Sequence, residues 1–137
     1  MIEPKNPKPL LKMAVDKLDQ AGIHRISLAR QKVSLKPGVA YKWSIALVPD
    51  PANRSQDVIA SGSIQRIEPA PALTTALASA KGMEIAAAYA QNGVWYDALE
   101  AVSNEIDAAP KSKDLHAQRA ALLDQAGLKE AAAGERK

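Results

Sequence analysis

The stretch Ile85-Ala86-Ala87-Ala88-Tyr89-Ala90-Gln91-Asn92-Gly93-Val94-Trp95-Tyr96-Asp97-Ala98 decides the fold of this chain. An alanine-rich helix runs into Asn92-Gly93, a pair suited to the left-handed backbone that stops a helix, and a new helical stripe follows at once. That is a helical hairpin. Shifted by 34 residues, the stretch meets a second version of itself: Gly93 falls on Gly127, Ala86 on Ala120, Tyr89 on Leu123 and Ala98 on Ala132.

The period is that of tetratricopeptide repeats, and the first copy, Ser79 to Ser112, resembles one from inside. Ile85 and Ala86 sit at the close-contact site of the first helix, with Tyr89 one turn later. Ala98 falls where two helices cross over a small side chain, and Pro110 ends the second helix. Three residues depart from the pattern: Gly82 replaces an aromatic, Glu105 a small residue, and Arg119 a large apolar residue in the second copy. About one and a half copies cannot form a free-standing solenoid. The helices are therefore expected to bury their apolar faces on a β-region or on a partner.

Outward from the hairpin, the helical pattern extends from Leu73 to Gln91 with a break at Gly82. A second helix runs from Val94 to Ala108 with Ala98, Val102 and Ile106 on one stripe, and a third from Ser112 to Gln125, stopping at Gly127. Leu128 to Lys137 begins a further helix that frays. Upstream, Glu68-Pro69-Ala70-Pro71 ends a β-region, since proline cannot continue a sheet ladder. Val39 to Val48 alternates, placing Val39, Tyr41, Trp43, Ile45 and Leu47 on one face of a half-buried antiparallel strand. The loop from Pro49 to Asp57 holds two prolines and turn-forming residues, so Val58 to Ile67 is expected to return alongside. Ile23 to Leu28 reads as a short strand. Leu10 to Leu18 fits either a helix or a strand, and Pro4, Pro7 and Pro9 make the first nine residues an extended strap.

Composition excludes several classes of function. The chain has 137 residues and no cysteine, which removes disulfides, thiolate metal sites and cysteine nucleophiles. Eighteen basic residues against fifteen acidic are scattered, partly over Lys5, Lys8 and Lys12 and over Arg136 and Lys137, without the basic stripe that nucleic acid requires. No run of apolar residues is long enough to insert into a membrane. His24 and His116 lie apart and out of ligand spacing, and no nucleophile elbow, phosphate loop or dinucleotide fingerprint occurs. No catalytic residue, metal or cofactor is therefore expected.

Two groups of side chains stand out. Asp50, Arg54, Asp57 and Arg66 surround the expected β-hairpin, where arginine forks and carboxylates can pair to brace a loop or hold a ligand. Trp43, Tyr89, Trp95 and Tyr96 are the candidate module interface: Trp43 from the apolar strand face, Trp95 wedged between modules. Asp97 is suited to the N-terminal end of the second helix.

The order of features from Leu10 to Leu128 resembles the family catalogued as domain of unknown function 928. The resemblance is carried by Ala21-Gly22-Ile23-His24-Arg25-Ile26-Ser27-Leu28, by Leu35-Lys36-Pro37-Gly38-Val39-Ala40-Tyr41-Lys42-Trp43 and by Asp50-Pro51-Ala52-Asn53-Arg54-Ser55-Gln56-Asp57. It continues in Gly62-Ser63-Ile64-Gln65-Arg66-Ile67, in Gly93-Val94-Trp95-Tyr96-Asp97-Ala98-Leu99, and in Leu122, Leu123, Gly127 and Leu128. It implies an exported cell-envelope protein, largely cyanobacterial, with a β-sandwich followed by helices and no known activity. It also favours a strand over Leu10 to Val15. Members usually carry further strands ahead of Leu10 and a cysteine near Pro49; losing both fits the loss of a disulfide between them.

The expected fold is α+β: a partial antiparallel β-sandwich followed by a tetratricopeptide-like helical hairpin module. Residues 1–9 form the strap, 10–68 the β-region with about four strands, 69–74 a linker and 75–137 the helical region. The expected function is non-catalytic protein interaction or scaffolding in the bacterial envelope or periplasm, with another protein or a second copy bound through a sheet edge or the helical groove. The alternatives are a small-ligand or glycan-binding module and a subunit of a homopolymer.

Overall fold

The computed structural model describes residues 1–4, 6, 8–15 and 22–137. Lys5, Pro7 and Ala21, and the expected run from Asp16 to Leu18, lie outside these residues. The fold is mixed α and β, with a two-stranded antiparallel sheet and five helices among the described residues. It forms two compact units: one within residues 1–68, the other comprising residues 69–137 and a short piece at Ile23.

In the first unit, β1 (Ala40–Leu47) and β2 (Val58–Gln65) pair from Ala40↔Gln65 to Leu47↔Val58. Directly opposite residues share a face, so Tyr41, Trp43, Ile45 and Leu47 lie with Ile64, Gly62, Ala60 and Val58. The other face carries Lys42, Ser44, Ser61 and Ser63. The expected alternation therefore holds, and Gly62 has a reason: a Cβ there would fall 2.6 Å from Cζ2 of Trp43, whose ring lies across it. The connection turns through Asp50, whose carboxylate accepts from the Ala52 N–H at 2.8 Å, and through a single 3-10 turn at Arg54–Gln56.

The strap closes on this hairpin. Ile2 exchanges both backbone hydrogen bonds with Lys42, at 2.8 and 3.0 Å, while the terminal amine donates to the Leu11 carbonyl at 2.8 Å. Lys36 reaches Glu3 at 2.8 Å, and the Lys36 N–H donates to the Tyr41 hydroxyl at 3.2 Å, which is why Tyr41 is sealed.

Two expected strands are absent. Leu10 to Val15 is irregular: Leu10 and Leu11 turn their N–H groups back to the Met1 carbonyl, and β1's outer edge at Lys42 is already taken by Ile2. Ile23 to Leu28 also pairs with no strand among the described residues. Ile23 packs instead against Ala120, Leu123 and Ala132, and the chain after it tightens into turns from Ser27 to Val33, with Lys32 at φ 54°. Burial of one side chain has overridden a local β preference.

The second unit is a run of helices: α1 (Pro71–Ser79), α2 (Met83–Gln91), α3 (Trp95–Ala108), α4 (Lys113–Gln125) and α5 (Lys129–Glu135). The helices begin earlier than expected, inside the supposed linker 69–74, because Pro71 occupies the first turn, where its fixed φ fits and its missing N–H has no partner to lose. Gly82, at φ 51°, makes the break between α1 and α2. Ser112 caps α4 by accepting from the Leu115 N–H.

Two turns of the helical unit, 34 residues apart, make the same backbone hydrogen bonds. Val94 N–H donates to the Tyr89 carbonyl at 3.0 Å, and Leu128 N–H to the Leu123 carbonyl at 2.9 Å, each around a left-handed glycine, Gly93 or Gly127. Ala98 bonds to Val94 and Ala132 to Leu128, both at 3.0 Å. The matched alanines at 86, 98, 120 and 132 are all buried, so successive helices approach over minimal side chains. One core gathers Ala86, Val102, Ile106, Leu115 and Leu122; a second gathers Ala120, Leu123 and Ala132.

Candidate functional site

The loop cluster divides. Arg54 donates through Nε and Nη2 to Oδ2 of Asp57, at 2.8 and 2.6 Å, bracing the turn that delivers β2. Asp50 is occupied with its own turn at Ala52. Arg66 does not join them. It follows the far end of β2, where its carbonyl accepts from the Gly38 N–H at 2.8 Å, and the eight residues of the strand set it roughly 30 Å from Asp57. The expected four-residue cluster is thus a brace of two residues, a turn former and a distant arginine.

The aromatic group is also dispersed. Trp43 lies over Gly62 in the β-unit. Tyr89 packs half-buried on the first helical core. Trp95 touches both helical cores and donates its indole N–H to the Leu122 carbonyl at 2.8 Å. It is wedged within the helical unit, joining the two helical cores. Tyr96 meets Trp95 edge-on, with ring centroids 5.2 Å apart.

Two features escaped the sequence reading. The first is a polar cluster inside the helical unit. Arg119 forks onto Glu135, Nε to Oε2 and Nη2 to Oε1, both at 2.8 Å, and its Nη1 donates to the buried Ser103 hydroxyl at 3.2 Å. His116 sets Nδ1 2.8 Å from Glu135 Oε2 and Nε2 3.0 Å from the Pro110 carbonyl. Both ring nitrogens face acceptors, an arrangement that only the protonated ring satisfies. The bond to Glu135 and then the Pro110 carbonyl accordingly raise the His116 pKa above 6.5. The cluster fastens α5 to α3 and α4. Its sole sequence signal was Arg119 standing where the repeat expects an apolar side chain.

The second is the outer end of the hairpin. Along the apolar face exposure climbs from 1% at Tyr41 to 61% at Leu47 and 63% at Val58, with Ile59 at 67% on the opposite face. Ile45 is also exposed. Lys42 spends its backbone groups on Ile2, away from β2, and bonded and non-bonded pairs alternate along an antiparallel ladder. The N–H and C=O groups of Ser61 and Ile59 therefore point outward from β2 too. An exposed apolar end beside an outward-facing strand edge is what a binding surface for an extended segment presents.

A cleft between α2, α3 and α4, lined by Ala86, Ala90, Val102 and Gln118, encloses about 150 Å³, below the usual size of a small-molecule pocket; a more open hollow between α1 and α2, beside Ser79, Glu84 and Gln91, encloses about 370 Å³. Among the described residues no group of His, Asp and Glu is placed to hold a metal, and no helix is long and apolar enough to cross a membrane.

No curated protein and no solved structure matches the chain. A family pattern does match, over residues 2–135, nearly the full length and across both units. The chain belongs to the family described as Domain of Unknown Function (DUF928).

Proposed function

We propose that this chain is a non-catalytic protein-interaction component of the bacterial cell envelope, binding through the outer end and edge of its β-hairpin. The observation that carries this reading is the apolar end formed by Ile45, Leu47 and Val58, left exposed on a sheet that has two strands among the described residues. Two strands alone are marginal in water, and a third strand or a covering layer stabilises them. The sheet is thus an incomplete layer of the expected sandwich, completed on binding. The helical unit is a tetratricopeptide-like module of about one and a half copies, supported by the repeated glycine turns and buried alanines. Its groove is shallow, so its role in this reading is structural. The envelope location rests on family resemblance.

The ligand-binding alternative has less support, because Arg66 stands far from Asp50, Arg54 and Asp57. The test is affinity capture from an extract of the source cells, using the wild-type chain and the doubly substituted Leu47→Glu/Val58→Glu chain. A defined protein retained by the wild type and lost from the variant, with both chains folded by circular dichroism, supports the reading. Identical capture by both chains rejects it.

A further inference from the structure

The chain has asparagine at positions 6, 53, 92 and 104, and Asn92 alone precedes a glycine. That pair forms the turn between α2 and α3: Asn92 closes α2 at φ −97° and ψ 10°, and Gly93 follows at φ 71°. The later turn between α4 and α5 makes the same backbone bonds without asparagine. Gly93 N–H donates to the Ala90 carbonyl at 3.1 Å and Gly127 N–H to that of Asp124 at 2.9 Å, and the residue matching Asn92 is Ala126. The turn therefore needs its glycine but not its asparagine. What asparagine adds at 92 is a carboxamide on an exposed residue, next to a backbone nitrogen that no side chain shields.

We propose that Asn92-Gly93 is a self-modifying site, where the chain converts to isoaspartate and aspartate when the α2–α3 turn opens, and which the folded turn holds back. In the reaction the Gly93 nitrogen attacks Asn92 Cγ. The new N–C bond closes a five-membered succinimide, and the carboxamide nitrogen leaves as ammonia, taking up the Gly93 proton. Water then opens the ring: attack at Cγ gives aspartate, and attack at the main-chain carbonyl carbon gives isoaspartate, whose backbone is longer by one carbon. Closure needs the Gly93 nitrogen eclipsed with Asn92 Cβ about the Cα–C bond. At ψ 10° it is eclipsed instead with Asn92's own nitrogen, while the carboxamide is held by its Nδ2 donating to the Ala88 carbonyl at 2.8 Å. Rotation into reach breaks that bond and those from Gly93 to Ala90 and from Val94 to Tyr89, so closure waits on local opening. Isoaspartate then leaves an extra carbon in the turn and a negative charge at the C-terminal end of α2, where the helix dipole disfavours it. The Val94 to Tyr89 bond is lost.

Ageing the full chain at mildly alkaline pH, folded and in denaturing urea, beside a synthetic peptide of residues 88–98, tests this. Conversion at each asparagine is read by mass spectrometry with the isoaspartate and aspartate forms separated. The expected result is conversion at Asn92 in the peptide and in urea, at least about tenfold slower in the folded chain. Asn53 and Asn104 should lag throughout, because Arg54 and Glu105 crowd the nitrogen that would attack. Asn92→Ala, which copies the later turn, should fold and lose the conversion. The isoaspartate form should lose amide protection at Val94, whereas Asn92→Asp, with the same charge on a backbone of ordinary length, should keep it. Unfolded chains that convert no faster at Asn92 than at Asn53 overturn the site. Folded chains that convert as fast as the peptide overturn the restraint by the turn, and an isoaspartate form as protected at Val94 as wild type overturns the consequence.

Discussion

Trp95 donates its indole N–H to the Leu122 carbonyl at 2.8 Å across 27 residues of chain, tying the first turn of α3 to the last turn of α4. The bond lies where the two helical cores meet, since Trp95 and Leu99 touch both. Trp95→Phe keeps most of the apolar contact and removes the donor. Leu122 retains the Ala126 N–H at 3.3 Å, so its carbonyl is not orphaned. The expected loss is about 1 kcal/mol, read as a lowered urea midpoint with an unchanged slope.

Glu135→Gln removes the charge that Arg119 and His116 share. Arg119 is 12% exposed and keeps the Ser103 hydroxyl and at most one uncharged amide oxygen, so the substitution leaves a cation poorly compensated. The expected cost is about 2–3 kcal/mol, somewhat below that of breaking a fully buried pair. Arg119→Ile/Glu135→Leu should recover much of it, because Ile85 fills the position matching Arg119 in the first copy. Denaturation of the single and double variants checks both statements; a double variant as weak as the single one refutes the second.

The docking of α5 depends on pH through His116. Its folded pKa is raised above the ordinary 6.5, so the stabilisation is fully present below the unfolded value and is lost as pH rises through the folded one. Protection of α5 amides, corrected for intrinsic exchange, should therefore fall as pH climbs from about 6 towards 8. His116→Gln should flatten that dependence. An equally steep profile in the variant would contradict the assignment.

Gly62→Ala tests the packing of the hairpin. The added methyl meets the Trp43 ring at 2.6 Å from Cζ2, so the indole must move. Overpacking of this kind costs about 1–3 kcal/mol. A red-shifted Trp43 emission, read in a Trp95→Phe background, should accompany it.

Much of the helical unit was legible because its signals are local. Asn92-Gly93 and Gly127 fix left-handed turns, and alanines 34 residues apart mark the crossings, so the hairpins follow from short windows of sequence. The β-unit was half legible. The alternation from Val39 to Val48 is a property of one strand, and β1 appears there; pairing is a property of two. Leu10 to Val15 has strand-compatible residues, but at Lys42 the outer edge of β1 is held by Ile2, and Ile23 was drawn into the helical core. The loop cluster failed for a related reason: sequence places Arg66 near a hairpin, but only the register shows at which end. The Arg119–Glu135–His116 cluster depends on α5 folding back, which no local pattern encodes.

Helix α5 has seven residues, too few to hold a helical shape in water by themselves. It is ordered by the surface it lies on, chiefly through Ala132 at zero exposure and Glu135 in the fork of Arg119. Its helicity is therefore a gauge of that surface. Hydrogen exchange at the Ala132 amide measures how often α5 lifts away, without any need to unfold the remainder of the chain.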